Sequence, residues 1–396
     1  MPTGAVRRVV VVGAGLGGLR TAEELRRLGY DGELTLVGAE RHPPYSRPPL
    51  SKEILRGEKP PETAHLREAP AYGELGLDLR LGCRATALEP GDHTVRLDDG
   101  TALSYDRVVI ATGATPRALP GVEGPNIFTL RTLDDCVALR DRLAGRPRVV
   151  IVGSGFIGSE VACSAQMLGC QVTVVEMMSA PLVHCLGPDI AETCASLQRR
   201  FGIDLRCNAG VTAIEDSVVR LGDGSSIDSD LVIVGIGVRP DLDWLAGSGL
   251  TIDNGIVCDE HCAADVDVFA VGDVARWHNP LFGESMRLEH WTNATEQAAA
   301  VAQNVLGTGT PFAPVPYFWS DQFDTKIQVL GAPRDDDDVR VVRGSLDDGR
   351  FVAVYGRAGR LTGVVGFGSA RHVMSLRPLL TTPTAYDDAI DHAIAS

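Results

Sequence analysis

Apolar residues in the first two thirds of the chain occur as short consecutive runs rather than in strict alternation with polar residues. The first run, Val6–Val12, is dominated by valine and suits a strand buried on both faces within a parallel sheet. A glycine-rich turn, a helical stretch at Leu19–Leu28 and a second strand at Leu34–Val37 follow it. This order of strand, glycine turn, helix and strand predicts a nucleotide-binding βαβ unit.

The same order recurs near the middle of the chain. A strand at Val149–Val152 leads into a second glycine turn, a helix at Val161–Leu168 and a strand at Val172–Val175. Two such units predict an α/β protein with two Rossmann-like nucleotide-binding domains. Three further apolar strands run into glycine-containing turns, and the first two of them are expected to precede crossings between the domains: 108–111, 231–234 and 268–271.

Beyond Pro311 the pattern changes to short β-type runs separated by glycine and aspartate, which predicts an antiparallel sheet in a separate C-terminal domain. The run of four aspartates at 335–338 is interpreted as a solvated turn, because no matching metal ligands occur near it. The predicted strands of this domain are 326–330, 339–342, 351–355 and 361–365.

Composition narrows the classes of function. The chain has 396 residues and a net charge of −15, which argues against binding to nucleic acid or to an anionic membrane. The N-terminal apolar run is only Val9–Val12, too short for a secretion signal or a membrane span. Nine cysteines without a CxxC pair indicate reduced thiols in a cytoplasmic protein.

Two glycine clusters occupy the turns of the predicted βαβ units, where they let the backbone approach a pyrophosphate at a helix N-terminus. An acid follows each cluster at the position of a ribose contact: Glu40 lies 22 residues after Gly18, and Glu176 directly follows the strand 172–175. Glu176 favours NAD over NADP, because a carboxylate accepts from a free 2′-hydroxyl and repels a 2′-phosphate. The glycines are Gly13, Gly15, Gly17 and Gly18, then Gly153, Gly155 and Gly158.

A proline-rich segment, 43–52, follows the first unit and ends in a lysine. Proline fixes the backbone and so positions Arg47 and Lys52 at low entropic cost. An ordinary surface loop with two cations is the alternative that the segment alone leaves open.

Together these motifs resemble the ferredoxin reductases that serve bacterial cytochromes P450 and aromatic-ring dioxygenases, which have a glutathione-reductase-like fold. The resemblance extends over nearly the whole chain. Besides the glycine clusters, it includes RPPLSK (47–52), ATGATPR (111–117), LRTLDD (130–135), GVRP (237–240), FAVGDVA (269–275), EHWTNATEQA (289–298) and FWSDQF (318–323).

The resemblance implies three domains. A discontinuous FAD-binding domain is expected at 1–115 and 246–312, and an NAD-binding domain at 116–245. A C-terminal α+β domain with an antiparallel sheet is expected at 313–396. The cofactors are therefore expected to be FAD and NADH, with no metal.

The resemblance also implies roles for individual residues. Lys52 is expected near the reactive edge of the flavin, paired with Glu160 when nicotinamide stacks, so that local charge stays steady as hydride arrives. The family often has an acid where this chain has Ala39, so the FAD ribose contact of Glu40 is expected to be shifted or weakened. The implied FAD contacts are Gly13, Gly15, Gly17, Gly18, Glu40, Arg47, Lys52, Ala85, Thr112, Gly113, Arg131, Asp273, Glu289, His290 and Trp291. The implied NAD contacts are Gly153, Gly155, Phe156, Ile157, Gly158, Glu160, Glu176 and Gly237.

The expected electron acceptor is a small iron-sulfur ferredoxin that supplies a P450 or a dioxygenase. No redox-active cysteine pair is predicted, because the CxxxC of Cys258 and Cys262 is interpreted as incidental spacing. A flavin converts the two electrons of NADH into the single electrons that a ferredoxin accepts. Trp291 and Trp319 are expected near the flavin edge, each with simple packing as the alternative. The candidates for a basic docking rim are Arg47, Arg287, Arg334 and Arg371.

Other functions stay open at this point. One is an NADH-sensing flavoprotein of the apoptosis-inducing-factor type, and another is a reductase of rubredoxin, oxygen or a quinone. The sequence does not distinguish a monomer from a homodimer.

Overall fold

The computed structural model describes residues 6–215 and 217–395. The chain forms two compact units, each assembled from three segments. Unit 1 comprises residues up to 46, 64–115 and 239–314, and unit 2 comprises 47–63, 116–238 and 315 onwards. Residues 47–52, the part of the proline-rich segment that contains Lys52, therefore belong to unit 2 together with the second glycine cluster.

The helices and strands are numbered here in chain order. The α-helices are α1 (Leu16–Arg27), α2 (Ala69–Glu74), α3 (Leu133–Leu143), α4 (Phe156–Met167), α5 (Val183–Leu186), α6 (Pro188–Arg200), α7 (Trp291–Val305), α8 (Ala370–Ser375) and α9 (Tyr386–Ala395). The first strands are β1 (Arg8–Val12), β2 (Glu33–Gly38), β3 (Asp78–Leu81), β4 (Ala85–Glu89), β5 (Thr94–Leu97), β6 (Ala102–Ser104), β7 (Arg107–Ile110) and β8 (Ala114–Pro116). The middle strands are β9 (Ile127–Phe128), β10 (Arg148–Val152), β11 (Gln171–Val175), β12 (Asp204–Arg206), β13 (Val211–Glu215), β14 (Val218–Leu221), β15 (Ser226–Asp228), β16 (Leu231–Val234) and β17 (Val238–Pro240). The last strands are β18 (Ile256–Cys258), β19 (Ala263–Asp265), β20 (Val268–Ala270), β21 (Ala275–Asn279), β22 (Glu284–Met286), β23 (Tyr317–Gln322), β24 (Thr325–Gly331), β25 (Asp338–Ser345), β26 (Arg350–Arg357) and β27 (Arg360–Phe367).

Unit 1 is built around a six-stranded sheet in the order β19-β20-β7-β1-β2-β3. Its strands from β20 to β3 are parallel, and only β19 pairs antiparallel. Val9–Val12 of β1 are almost wholly buried, as expected of a central strand covered on both faces. Helix α1 packs against α7, which follows the sheet in the chain. Two three-stranded sheets, β4-β5-β6 and β18-β21-β22, complete the unit.

Unit 2 contains a second, five-stranded parallel sheet in the order β12-β11-β10-β16-β9 and a three-stranded antiparallel sheet, β13-β14-β15. A five-stranded antiparallel sheet, β23-β24-β27-β26-β25, forms the C-terminal part. Leu186, Ile190 and Cys194 share one buried core with Phe351 and Phe367 of this sheet. The predicted fold class, two Rossmann-like units of α/β type with a C-terminal antiparallel sheet, is confirmed.

The aspartate run departs from its prediction at one residue. Asp335, Asp336 and Asp338 are exposed, but Asp337 is buried. Its carboxylate accepts from the Arg357 guanidinium at 2.6 and 3.0 Å and from the Thr362 hydroxyl at 2.8 Å. The interpretation as a solvated turn is therefore wrong for Asp337, because a neighbouring strand supplies an arginine that neutralises its charge.

Candidate active site

The first glycine cluster forms a turn that only glycine can adopt. Gly13 has a φ of +117°, and a Cβ atom there would lie 2.2 Å from the carbonyl oxygen of Ala111. A Cβ on Gly18 would lie 1.9 Å from the carbonyl oxygen of Gly13. A Cβ on Gly15 would meet nothing within 4 Å, so the space at the start of α1 is open. The turn thus fits a pyrophosphate held by backbone amides at a helix N-terminus.

The turn that carries Asp273 is fixed from two sides within unit 1. Gly272 donates its amide to Gln297 Oε1 at 2.7 Å, and Gln297 is fully buried in α7. Arg287 donates to the Asp273 carbonyl at 3.0 Å and forms an ion pair with Glu289 at 2.8 Å. Only 12% of the Arg287 side chain is exposed and its guanidinium is paired with Glu289, so Arg287 presents little charge to a docking partner.

Residues 45–46 connect Glu40 and Trp291. The Tyr45 hydroxyl donates to Glu40 Oε2 at 2.5 Å, and the Trp291 indole donates to Ser46 Oγ at 3.3 Å. Helix α7 begins at Trp291, directly after His290. Burial lowers the pKa of His290 to about 4, and the nearby Asp273 opposes this shift in part. His290 is therefore a neutral imidazole at physiological pH.

Thr112 and Gly113 are tied to a later part of unit 1. The Thr112 hydroxyl donates to the carbonyl of Asp241 at 2.8 Å, and the Asp241 amide donates to the carbonyl of Gly113 at 3.0 Å. Burial raises the pKa of the Asp241 carboxyl, while Arg84, 3.7 Å away, lowers it. Ala85, the next residue, is buried at the start of β4.

The second glycine cluster, in unit 2, repeats the geometry of the first. Gly153 has a φ of +97°, and a Cβ there would lie 2.5 Å from the Gly235 carbonyl oxygen. A Cβ on Gly158 would lie 2.2 Å from the Gly153 carbonyl oxygen, whereas one on Gly155 would meet nothing within 4 Å. The two turns therefore have the same geometry. In each, the first and last glycines pack tightly against backbone atoms, and the second glycine faces open space at the start of the helix.

Glu176 closes the second turn through both of its carboxylate oxygens. Ser154 donates its amide to Oε2 at 2.6 Å, and Met178 donates its amide to Oε1 at 2.8 Å. Behind the turn, the Gln198 amide nitrogen donates to the hydroxyls of Ser154 and Ser159, each at 3.0 Å. Sequence reasoning missed Gln198, which lies on α6 with no local signal of a role.

Three other residues of the implied NAD set lie in the same unit. Gly237 has a φ of +94°, and its carbonyl accepts from the Arg117 amide at 2.9 Å. Phe156, the first residue of α4, packs edge-on against Phe318 with ring centroids 4.7 Å apart. Ile157 beside it is 48% exposed, an apolar side chain open to a ligand.

The proline-rich segment is anchored on helix α3. The Arg47 guanidinium donates to the carbonyl of Arg131 at 2.5 Å, just before the Thr132 capping box that starts this helix. The Cys136 thiol lies 3.2 Å from the carbonyl of Leu50. Pro48–Ser51 form a 3₁₀ turn, so the backbone before Lys52 is rigid.

Lys52 and Glu160 form a largely buried ion pair. Lys52 Nζ lies 2.5 Å from Glu160 Oε2, and the Ser51 hydroxyl donates to the same oxygen at 2.6 Å. The Ser320 hydroxyl donates to Oε1 at 2.8 Å, with the Asp321 amide at 3.3 Å. A buried carboxylate needs such partners, since unmatched charge in the interior is costly. The sequence motifs contain both serines, but no local pattern assigned them to Glu160.

Eight of the nine thiols are unsuited to redox chemistry because burial raises their pKa values. All nine cysteines are unpaired. Burial raises the pKa of Cys136 to about 11 and that of Cys163, Cys185 and Cys262 to about 12. Burial also raises the thiol pKa of Cys170, Cys194, Cys207 and Cys258. These thiols stay protonated, so they are poor nucleophiles.

Neither a metal site nor a membrane helix is found in the described parts of the chain. Residues 6–215 and 217–395 contain no group of three or more histidine, cysteine or acidic side chains that could hold a metal ion. Over the same ranges, every helix is too short or too polar to cross a bilayer.

The implied FAD and NAD contacts divide between the two units. Unit 1 holds Gly13, Gly15, Gly17, Gly18, Glu40, Ala85, Thr112, Gly113, Asp273, Glu289, His290 and Trp291. Unit 2 holds Arg47, Lys52, Arg131, Gly153, Gly155, Phe156, Ile157, Gly158, Glu160, Glu176 and Gly237. Their roles towards the cofactors stay predictions.

Comparison with known proteins agrees with this geometry. Residues 7–298 match the pyridine nucleotide-disulphide oxidoreductase model, and 317–393 match the reductase C-terminal model. The chain is 36% identical to rhodocoxin reductase of Rhodococcus erythropolis, covering 97% of this chain and 92% of the relative. It is 37% identical to the ferredoxin–NAD(+) reductase component of the anthranilate 1,2-dioxygenase system of Burkholderia cepacia, covering 94% and 93%. The covalent putidaredoxin reductase–putidaredoxin complex matches with a TM-score of 0.94 at 34% identity, covering 99% of each chain.

These matches confirm the resemblance drawn from the motifs. They extend through both glycine turns and the C-terminal sheet, and the relatives are reductases of ferredoxin-type carriers by name. The chain belongs to the pyridine nucleotide-disulphide oxidoreductase family, among the ferredoxin reductases with a reductase C-terminal domain.

Proposed function

We propose that this protein is an FAD-dependent NADH:ferredoxin oxidoreductase. It takes hydride from NADH and delivers single electrons to an iron-sulfur ferredoxin that supplies a cytochrome P450 or a ring-hydroxylating oxygenase. The observation that carries the proposal is the buried Lys52–Glu160 pair, held in the same unit as the second glycine turn. FAD, when bound, supplies the conversion of a two-electron donor into a one-electron donor.

Unit 1 would hold FAD. The open space beside Gly15 accommodates a pyrophosphate, and the fixed turn at Gly272 presents Asp273. Neutral His290 adds no charge next to the cofactor. Glu40, whose carboxylate accepts from the Tyr45 hydroxyl, would contact the FAD ribose.

Unit 2 would hold NADH. Glu176 is fixed by two backbone amides, so its carboxylate is oriented before the nucleotide arrives. Each of its oxygens keeps a second lone pair with which to accept from a 2′-hydroxyl. The same negative charge disfavours the 2′-phosphate of NADPH.

In this proposal, Lys52 and Glu160 act together as an ion pair. A lysine and a glutamate in contact carry no net charge, so together they provide a fixed dipole rather than a field of one sign. Such a preoriented pair stabilises charge that develops during hydride transfer without needing solvent to reorganise. Ser51 and the proline-rich turn keep Lys52 in place.

The outlet for electrons is a protein partner rather than a thiol. Burial raises the pKa of eight of the nine cysteines, so a disulfide relay has no activated thiolate among them. Trp319 of β23 stacks with Tyr317 at 6.1 Å, and Lys326 of β24 lies over its ring at 5.7 Å. The Lys326 ammonium also pairs with Asp321 at 2.7 Å, so this aromatic surface carries a paired cation. Exposed Arg334 and Arg371 add candidate cations for an acidic ferredoxin.

The experiment that tests the proposal is NADH-dependent cytochrome c reduction by purified, FAD-loaded protein, with and without ferredoxins encoded in the same genome. We expect one ferredoxin to stimulate the rate by at least about 100-fold, because the carrier converts a slow direct reaction into an efficient relay. A reduced protein that persists in air and turns over slowly with every ferredoxin would instead support the NADH-sensing alternative. Faster turnover with oxygen, rubredoxin or a quinone would identify a different acceptor.

A cytoplasmic location is part of the proposal. It is supported by nine unpaired cysteines, which reducing compartments keep in this form. Sedimentation of the loaded protein would distinguish a monomer from a homodimer.

A further inference from the structure

We propose that Ser320 is a positioning residue for the Lys52–Glu160 pair, so that the C-terminal sheet helps to set the geometry of hydride transfer. The inference rests on the proposed function and deepens it. It assigns a role in the reaction to a residue that lies far from both glycine turns in the sequence.

The first observation is that different segments of the chain bind the two oxygens of the Glu160 carboxylate. Oε2 accepts from Lys52 and Ser51, which both belong to the proline-rich segment. Oε1 accepts from the Ser320 hydroxyl and, at a longer distance, from the Asp321 amide. Lys52 and its neighbour Ser51 therefore hold one oxygen of the carboxylate, and strand β23 holds the other.

The second observation is burial. Ser320 is completely buried, and 4% of the Glu160 side chain is exposed. Water has little room to replace a lost hydroxyl here, so removing it leaves Oε1 short of a donor. The carboxylate can then rotate, and its other oxygen would move relative to Lys52.

The third observation is the direction of the hydrogen bonds. The Gln322 amide nitrogen lies 3.4 Å from Ser320 Oγ and can only donate, so the serine proton is left for Glu160. On the opposite side, Lys52 Nζ lies 3.4 Å from Ser51 Oγ, and Ser51 donates to Glu160. Both serines thus direct their protons towards the carboxylate, which strengthens each bond in the chain.

The fourth observation is that one face of β23 packs against the start of α4. Phe318, Ser320 and Gln322 alternate with their neighbours and share one face. On this face Phe318 contacts Phe156, the first residue of α4, and Ser320 contacts Glu160 one turn later. The strand therefore supports the N-terminal turn of the helix that carries Glu160.

The test measures flavin reduction by NADH in FAD-loaded Ser320→Ala protein by stopped-flow absorbance. We expect the limiting rate constant to fall about tenfold, the effect of losing one hydrogen bond to a buried charge. The dissociation constant for NADH is expected to stay within about twofold, because Ser320 does not belong to the nucleotide-binding turn. The matched control is Ser375→Ala, which removes an exposed hydroxyl from α8 in the same unit and should leave both constants unchanged.

A double-mutant comparison separates positioning from general packing. In a Glu160→Ala background there is no carboxylate to position, so adding Ser320→Ala should lower the rate no further. An equal loss in both backgrounds would overturn the inference, as would an unchanged rate in the single variant. Ser320→Thr retains the hydroxyl and should recover most of the rate, which keeps the inference testable if the alanine variant is unstable.

The same data distinguish two failures. If Lys52→Met and Glu160→Ala leave the rate of flavin reduction unchanged, the pair itself has no part in hydride transfer and the proposed function loses its central observation. If both slow flavin reduction while Ser320→Ala does not, only the role of Ser320 is refuted.

Discussion

Lys52 Nζ lies 2.5 Å from Glu160 Oε2, and the two side chains are only 13% and 4% exposed. Burying two charges is costly, and a buried ion pair is often no more stabilising than an apolar pair of the same size. The fold nevertheless surrounds Glu160 with two serine hydroxyls and a backbone amide. Because the pair adds little stability, these extra hydrogen bonds point to a role of the pair in the reaction.

The first prediction concerns Lys52. Replacing it with methionine removes the charge but retains the length of the side chain, and leaves Glu160 as an unbalanced anion. We expect the limiting rate of flavin reduction by NADH to fall about 100-fold, the usual effect of losing one preorganised charged group. Stopped-flow absorbance of the flavin measures this rate.

The control is Lys59→Met, which removes an exposed lysine from residues 47–63 of the same unit. It should reduce flavin at the rate of the natural protein. Equal rates in the Lys52 and Lys59 variants would refute the assigned role.

The second prediction concerns nucleotide choice. Glu176→Gln retains a side-chain acceptor for the turn but loses the negative charge. We expect kcat/KM for NADH to exceed that for NADPH in the natural protein, and the ratio to shrink about tenfold in the variant, because charge repulsion of the 2′-phosphate disappears. The exposed Glu215→Gln in the same unit serves as the control. A natural protein that prefers NADPH would contradict the assignment.

Much of this architecture was predictable because it rests on local signals. Buried parallel strands appear as runs of valine and isoleucine, and β1 and β10 lie where those runs occur. Helix α4 begins at Phe156, five residues before its predicted start. The glycines at 155 and 158 obscure the helical pattern in the sequence. Glycine is nevertheless required at 158, because a side chain there would collide with the Gly153 carbonyl oxygen.

What the sequence did not predict depends on contacts between distant segments. Ser320 is separated from Glu160 by 160 residues, and only the fold brings them together. Likewise Gln198 reaches the second glycine turn from a helix with no motif. Asp337 was expected in a solvated turn because no matching metal ligands occur near the aspartate run, but the Arg357 guanidinium, 20 residues later in the chain, pairs with it in the folded protein.

The third prediction concerns the thiols. Because burial raises the pKa of Cys258 well above its usual value and that of Cys262 to about 12, the CxxxC pair should be inert. We expect N-ethylmaleimide at neutral pH to leave ferredoxin-dependent cytochrome c reduction unchanged. The double variant Cys258→Ser and Cys262→Ser should retain the same rate with bound FAD. Loss of activity in step with modification of these two residues would show that a thiol takes part.

The fourth prediction concerns acid stability. Burial lowers the pKa of His290 to about 4, whereas in the unfolded chain its pKa is about 6.5. As pH falls below about 6.5, the unfolded state binds this proton while the folded state does not, so the free energy of unfolding decreases down to about pH 4. Above pH 7 the imidazole is neutral in both states and contributes no pH dependence.

Urea unfolding of the FAD-loaded protein, followed by fluorescence at intervals between pH 5 and 8, measures this effect. His290→Gln cannot take up a proton, so its unfolding midpoint should fall less steeply between pH 6.5 and 5 than that of the natural protein. The control His392→Gln alters an exposed histidine of α9 and should retain the full slope. If the His290 and His392 variants lose stability equally as pH falls, protonation of His290 does not limit folding in acid.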